Sequence, residues 1–514
     1  MDRSTVQRLL VPEAFPHPVG DIQLIETHIS WVILTGDFAY KIKKPIDLGF
    51  LDFRELERRQ YFCNEELALN RRYTPEIYLE LATVNGTIDT PHINGSGALL
   101  DYAVKMQQFD TDCLLAAISE RGELNHHLLR SIARELAKSH RDFPALTGAT
   151  KNPGAMKAAM FQNFEQAREY AIDEPEIALL DTLERWTRTQ IKRLMPLMQQ
   201  RVRDGHIKDL HGDLHLNNMV LLDGQVRFFD CIEFNKNFRL MDTIAEIAFL
   251  TMDLADRGEP AQQVLNDYLE YSGDYAGLPL LQLYRTYFAM VRAKVSLMHE
   301  PLTRLDIKQT QAYRQFQGFV ELALTYTQEK PQFLALMHGV AGSGKSTVAR
   351  HVAEHFGAIR LRSDVERKRL FGLLPDESSD TIENDIYTTQ ATAQTFEYLR
   401  ALGRDIVSAG LPCIIDATFL KRATRRIFVE LAQELDIPLL ILECIAPADI
   451  MAQRVSERSE DGRDASEAGI EIMQQQLRDL EPFMAAEREF VLTIDTQKPF
   501  EGSLVDQFIL QRAH

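Results

Sequence analysis

Gly339-Val340-Ala341-Gly342-Ser343-Gly344-Lys345-Ser346 follows an apolar run, Phe333 to Met337, and opens a helical stretch that stops at Gly357. Strand, glycine-rich turn and helix in that order fit the phosphate-wrapping pattern G-x-x-x-x-G-K-[ST] and leave a narrow choice of folds. Glycines let backbone amides turn inward, and the helix N-terminus adds positive potential. The lysine then reaches the β- and γ-phosphates, and the serine hydroxyl suits Mg²⁺. Gly339, Gly342, Ser343, Gly344, Lys345, Ser346 and Thr347 are therefore expected to hold ATP, with Ser346 also a metal ligand. Short apolar runs at Ile359 to Leu361, Cys413 to Ile415, Leu439 to Leu442 and Phe490 to Ile494 recur at helix-length intervals. That is the rhythm of a mostly parallel α/β sheet.

In such sheets ligands gather at the carboxyl ends of the strands. The strand ending near Arg362 delivers Asp364 there, and Arg367 follows one helical turn later. A carboxylate suits hydroxyl activation and a guanidinium suits anion clamping. Asp416 closes another strand, placed either to support Mg²⁺ or to cap a helix. Arg454 and Arg458 lie at i, i+4 with Arg463 close behind. They fit an arginine-bearing lid over transferring phosphate, or else a solvated helix face paired with glutamates.

A second signature, His211-Gly212-Asp213-Leu214-His215-Leu216-Asn217-Asn218, lies well upstream. Met219 to Leu222 and Val226 to Phe229 are apolar runs joined by Asp223-Gly224-Gln225, a hairpin signal. A three-residue loop would set Asn218 opposite Asp230, with Cβ atoms about 5 Å apart, close enough for one divalent cation to bridge them. Asp213, in the loop feeding the hairpin, would accept a proton from a substrate hydroxyl. His211 and His215 are expected to orient the loop.

The composition narrows the partners. A formal charge of −18 argues against a broad grip on long nucleic acid or anionic lipid. Five cysteines, far apart and without C-x-x-C, indicate reduced thiols. No apolar stretch approaches the ~20 residues that span a bilayer, so a cytoplasmic protein is expected.

Residues 20 to 106 alternate strands with one helix over Arg54 to Arg72, and long amphipathic patterns follow at about 112 to 142, 155 to 203 and 240 to 328. The last breaks at Gly258-Glu259-Pro260, Gly273 and Gly277-Leu278-Pro279. The expected boundary falls near Lys330-Pro331. It gives residues 1–329 (small lobe about 20–106, helical lobe about 110–328) and 330–514.

With its H-G-D-L-H-x-x-N loop, the first part resembles the aminoglycoside phosphotransferase and choline kinase branch of the protein-kinase-like fold. The resemblance implies a two-lobed α+β domain in which Asp213 is the base and Asn218 and Asp230 bind metal. Asp242 matches an aspartate that supports the lobe. The family also needs a strand lysine for the phosphates and a helical glutamate to hold it. Lys41 or Lys43, with Glu65 or Glu66, are the candidates, and Lys41 with Glu66 is preferred. Val104 to Phe109 resembles the inter-lobe hinge. The small lobe departs from kinases in lacking G-x-G-x-x-G. The second part resembles the zeta-toxin and polynucleotide-kinase-like P-loop group, which implies Asp364 as base and Arg367 as acceptor clamp.

Together these readings predict a bifunctional ATP- and Mg²⁺-dependent phosphotransferase acting on hydroxyl groups of small molecules. Asp110, Asp112, Glu233, Glu246 and Asp253 are candidates to line a pocket for a cationic acceptor. Two alternatives stand beside it: one half regulates as a nucleotide sensor, or the chain modifies nucleotide-sugars or RNA ends through Asp364.

Overall fold

The computed structural model describes residues 1–49, 51–146, 153–170, 174–297, 307–379, 386–461 and 469–511. The chain separates into two compact units. Unit 1 is Met1–Glu135, Ser139–Lys157 and Pro196–Glu259, and unit 2 is Leu136–Lys138, Ala158–Met195 and Pro260–His514. Density of packing thus groups the helices after residue 260 with the P-loop sheet, whereas the change of sequence rhythm lies near 330. We retain 1–329 and 330–514 as a proposal about the two ancestral modules.

Among the described residues of unit 1, β1 (Gln23–Glu26), β2 (Ser30–Leu34), β3 (Phe38–Lys43), β4 (Tyr78–Gly86), β5 (Pro91–Ile93) and β6 (Ala98–Gln107) form one sheet. Their order is β1-β2-β3-β6-β4-β5, and every pairing is antiparallel. One face is apolar: Trp31, Ile33, Tyr40, Ile42, Ala82, Val84 and Ala103 share a buried cluster. Strand alternation then puts Lys41 and Lys43 together on the other face. There the helix Leu56–Asn70 packs through Cys63 and Leu67 against Tyr78, Val104 and Val220. The polar residues on that buried face are consequently forced to find one another.

Further along unit 1, β7 (Ile207–Asp209) pairs with β10 (Leu240–Asp242), and β8 (Met219–Leu222) with β9 (Gln225–Phe228). The β8–β9 hairpin corrects the expected register. Met219 faces Phe228 and Leu222 faces Gln225, so the loop is Asp223-Gly224 alone. Both loop residues take left-handed φ values of 49° and 73°, as a two-residue type I′ turn requires. Extending the ladder puts Asn218 opposite Phe229, whose N–H donates to the Asn218 carbonyl at 3.0 Å, rather than opposite Asp230.

In unit 2, β11 (Leu334–His338), β12 (Ile359–Arg362), β13 (Cys413–Asp416), β14 (Leu439–Ile445) and β15 (Val491–Asp495) form a parallel sheet in the order β12-β13-β11-β14-β15. Phe333, Ala335 and Met337 pack on Val348, Ala349 and Val352 of the helix Lys345–Phe356, which fixes the strand–turn–helix at the P-loop. At the outer strand β12, the helix Ala261–Ser272 offers side-chain amides to the backbone. Asn266 accepts from Arg360 N at 2.9 Å and donates to Ala358 O at 3.1 Å, and Gln262 donates to the same carbonyl at 2.9 Å.

Candidate active sites

The first site is a chain of charges on the inner face of the small sheet. Lys41 Nζ lies 2.8 Å from Glu66 Oε1 and 2.5 Å from Asp230 Oδ1. Lys43 Nζ lies 2.7 Å from Glu66 Oε2 and also pairs with Glu233. The preferred pair, Lys41 with Glu66, is therefore brought together, and Lys43 joins it. Burial works to raise the pKa of Glu66, but the two ammonium groups outweigh it and hold the carboxyl low, at about 2. Asp230 has a left-handed φ of 63° and its N–H is held by the Tyr78 hydroxyl at 3.0 Å.

Asp213 stands in the loop beside this chain, half-buried. Asn218 Nδ2 donates to the Asp213 carbonyl at 2.9 Å and approaches Asp213 Oδ2 at 3.3 Å. The His211 ring ties the two halves of the site. Its Nδ1 faces the Asp213 N–H at 3.4 Å and its Nε2 the Phe229 carbonyl at 2.8 Å, next to Asp230. An amide only donates and a carbonyl only accepts, so the ring carries its proton on Nε2. Burial lowers the pKa of His211 and keeps it neutral. His215 Nε2 lies 3.5 Å from Asp213 Oδ2. Asp213, Asn218 and Asp230 thus converge on one loop and hairpin without facing one another in the ladder.

Of the acidic residues expected to line an acceptor pocket, Glu233, Glu246 and Asp253 are buried with internal partners, whereas Asp110 and Asp112 are exposed. Glu233 is held by Lys43. Glu246 accepts from the His211 and Gly212 amides at 2.8 and 3.0 Å and from His140 at 2.9 Å. Asp253 accepts from Leu216 N at 3.1 Å and pairs with Arg257. Asp110 accepts from the Asp112 amide. Asp242 caps the helix Thr243–Asp256 and meets Arg201 through two contacts of 2.7 Å, so it supports the lobe.

The second site is the P-loop of unit 2. Gly342 has φ +80°, and a Cβ there would sit 2.3 Å from the Met451 carbonyl, so only glycine fits. The helix Lys345–Phe356 starts at Gly344 with no side-chain cap, which leaves its first amides for an anion. Lys345 Nζ donates to Val340 O at 2.8 Å. Ser346 Oγ lies 3.3 Å from Asp416 Oδ2, so the two expected metal ligands meet. Burial works against the charge of Asp416, but Arg360, at 2.6 and 3.0 Å, overcomes it and keeps the carboxyl below its ordinary range. The next helix begins at Arg422 with Lys421 as its cap, so Asp416 is not an N-cap.

Asp364 is half-buried in the first turn of the helix Ser363–Leu370. Arg367, one turn on, is buried; it donates to Ile386 O and Thr392 Oγ1 at 3.0 and 3.2 Å and lies over the Tyr387 ring. Arg454 braces the P-loop from the side, through Thr496 Oγ1 at 2.9 Å, Thr496 O at 3.0 Å and Gly342 O at 3.4 Å. Arg458 continues the helix Ala448–Asp461, but its side chain, and all of Arg463, lie outside the described residues. Thr347 is exposed in the first helical turn.

Sequence reasoning missed several partners: Glu233 for Lys43, Glu246 for the loop, Arg360 for Asp416, and Gln476, whose Oε1 accepts from the P-loop amide of Ala341 at 2.7 Å. Only Glu233 carried a local signal, being three residues past Asp230.

A strand lysine tied to a helical glutamate in unit 1, and a phosphate-binding turn with its serine–aspartate pair in unit 2, define a phosphotransferase of the kinase class. Residues 334–483 match the AAA domain family. An uncharacterized protein of Mycobacterium tuberculosis is 29% identical over 459 residues, 88% of this chain and 89% of that protein, and one of Mycobacterium bovis matches equally. Among solved structures, a sugar kinase from Janibacter is 23% identical and covers 36% of this chain and 96% of its own, with a TM-score of 0.27. A choline/ethanolamine kinase family protein from Mesorhizobium loti (10% identical; 64% and 94% covered) has a TM-score of 0.38. An amicoumacin kinase (13% identical; 62% and 94% covered) has a TM-score of 0.40.

Proposed function

We propose that the chain is a bifunctional ATP-dependent kinase whose two sites each transfer a γ-phosphate to a hydroxyl group of a small molecule. The observation that carries this reading is that each unit sets a lysine close to hard oxygen donors: Lys41 beside Asp230 with Asn218 one hairpin strand away, and Lys345 next to the Ser346–Asp416 pair. Carboxylate, amide oxygen and hydroxyl are the donor chemistry that Mg²⁺ prefers. Asn218 and Asp230 would hold it in the first site, Ser346 and Asp416 in the second, where it would neutralise charge on the phosphates.

The protein's own groups do the rest. In the first site Asp213 accepts the proton of the acceptor hydroxyl, with Asn218 and His211 fixing the loop that carries it. Lys41 exchanges its carboxylate partner Asp230 for phosphate oxygens. In the second site Asp364 is the base, Lys345 leaves the Val340 carbonyl for the β- and γ-phosphates, and Arg367 holds the acceptor end. Arg454, and Arg458 beyond it, belong to the segment that closes on the nucleotide.

ADP release from the full chain, measured over a panel of hydroxylated metabolites, tests the reading. Asp213→Asn is expected to remove one set of activities by about 10²–10⁴-fold and Lys345→Ala a different set. If Asp213→Asn leaves every transfer intact, the first site is not a kinase site. A second reading, in which unit 2 binds nucleotide without turning it over, draws on Arg360, which already neutralises Asp416. It predicts that Asp364→Asn changes no transfer rate.

A further inference from the structure

Lys41 and Lys43 share a single carboxylate, each taking one oxygen of Glu66, at 2.8 and 2.7 Å. Around them the charges run in a row: Glu233, Lys43, Glu66, Lys41, Asp230. Exposure is low at one end of the row and rises from Glu66 to Asp230. The Lys43 and Glu66 side chains are 0% exposed and Glu233 3%, whereas Lys41 is 10% and Asp230 42% exposed. The closed end is sealed further by the Phe53 ring, 5.0 Å from Lys43 Nζ. Lys43 therefore cannot touch a solute while the row is intact, and Lys41 can.

Burying the Lys43–Glu233 pair gains little stability, since an apolar pair of the same volume commonly does as well. What the ionic pair supplies is direction. Glu233 holds the Lys43 ammonium, the ammonium holds Glu66 Oε2, and the glutamate is left with Oε1 turned to Lys41. Three carboxylates and two ammonium groups also leave one negative charge in the row. At the open end Asp230 needs another cation once Lys41 turns to phosphate.

We propose that Lys43 and Glu233 form a buried positioning pair that fixes Glu66, so that Lys41 alone addresses the nucleotide. The inference rests on the kinase reading of the first site. It assigns to the lysine two residues along the strand a role distinct from phosphate contact, and to Glu233 a role in a site it does not touch.

The test uses the full chain carrying Lys345→Ala, so that ATP signals report unit 1. Lys41→Met, Glu233→Gln and the charge-balanced double change Lys43→Met with Glu233→Met are compared for KM(ATP), kcat, affinity for a fluorescent ATP analogue and urea midpoint. Lys41→Met is expected to lose at least about 100-fold in kcat/KM. The double variant is expected to keep its urea midpoint but raise KM(ATP) about tenfold, with a smaller change in kcat. A double variant with unchanged midpoint and unchanged KM(ATP) would show that the pair merely fills space, and overturns the proposal. Should the double variant not fold, Glu233→Gln decides: a raised KM(ATP) at constant midpoint supports the pair, and an unchanged KM(ATP) overturns it. Asp213→Asn in the same background separates the two failures. If it turns over ATP normally, the kinase reading of unit 1 is wrong, while analogue affinity still judges the positioning pair.

Discussion

Glu246 shows how much of the His211–Asn218 loop can hang on one buried residue. Its two oxygens take three hydrogen bonds, from the His211 and Gly212 amides and from His140, in a fully buried position. Removing the carboxylate strands those donors without water. Glu246→Ala is therefore expected to cost about 3 kcal/mol, read as a lower urea midpoint. Burial works to raise the pKa of this carboxyl, but the His140 hydrogen bond and charge, with the amide, prevail and hold it below the ordinary 4.5. A depressed acid contributes its full stability above the unfolded value and loses it as pH falls through the folded one. The midpoints of wild type and Glu246→Ala should accordingly differ most at neutral pH and draw together as pH falls below 4.5 through the lowered folded-state value. At this scale the candidate sites were legible where their signal is local. The glycines, Lys345 and Ser346 of the P-loop, and Asp213 and Asn218 of the loop, announce themselves by spacing. The link from Lys43 to Glu233 crosses 190 positions and left only a charged residue in each place.

Two elements carry predictions of their own. β11 ends in His338, buried beside the Phe483 ring, and among the described residues neither ring nitrogen has a hydrogen-bond partner. Burial, with Arg425 and Lys345 nearby, lowers its pKa from 6.5 to about 4. The unfolded chain takes up a proton below 6.5 while the folded strand refuses it until about 4, so stability drains away across that window. In His338→Leu the fall in urea midpoint between those pH values should be shallower than in wild type; an equal slope would refute the assignment. The β8–β9 hairpin depends on Gly224 at φ +73°. Gly224→Val is expected to destabilise by about 1–2 kcal/mol, again by urea denaturation. Its existence could be read from two apolar runs around Asp-Gly, but its register could not. Loops of two and three residues share the same dipeptide, and the choice between them moves Asn218 from Asp230 to Phe229. Runs such as Leu334–His338 and Cys413–Asp416 fell close to their expected places because strands buried on both faces need unbroken apolar sequence.

For the whole molecule, the −18 charge disfavours a broad grip on long polyanions, and among the described residues no helix is long and apolar enough to cross a membrane. The boundary near 330 remains a proposal, and the amphipathic pattern of 261–272 states that the helix has a buried face without stating what it covers. It covers β12, whose outer backbone groups are met by Asn266 and Gln262 instead of by another strand. Anyone who cuts the protein at residue 330 to isolate its P-loop half will strip off that guard and leave a sticky margin on the sheet. Such a fragment should scatter light as it concentrates, whereas the full chain should stay dispersed.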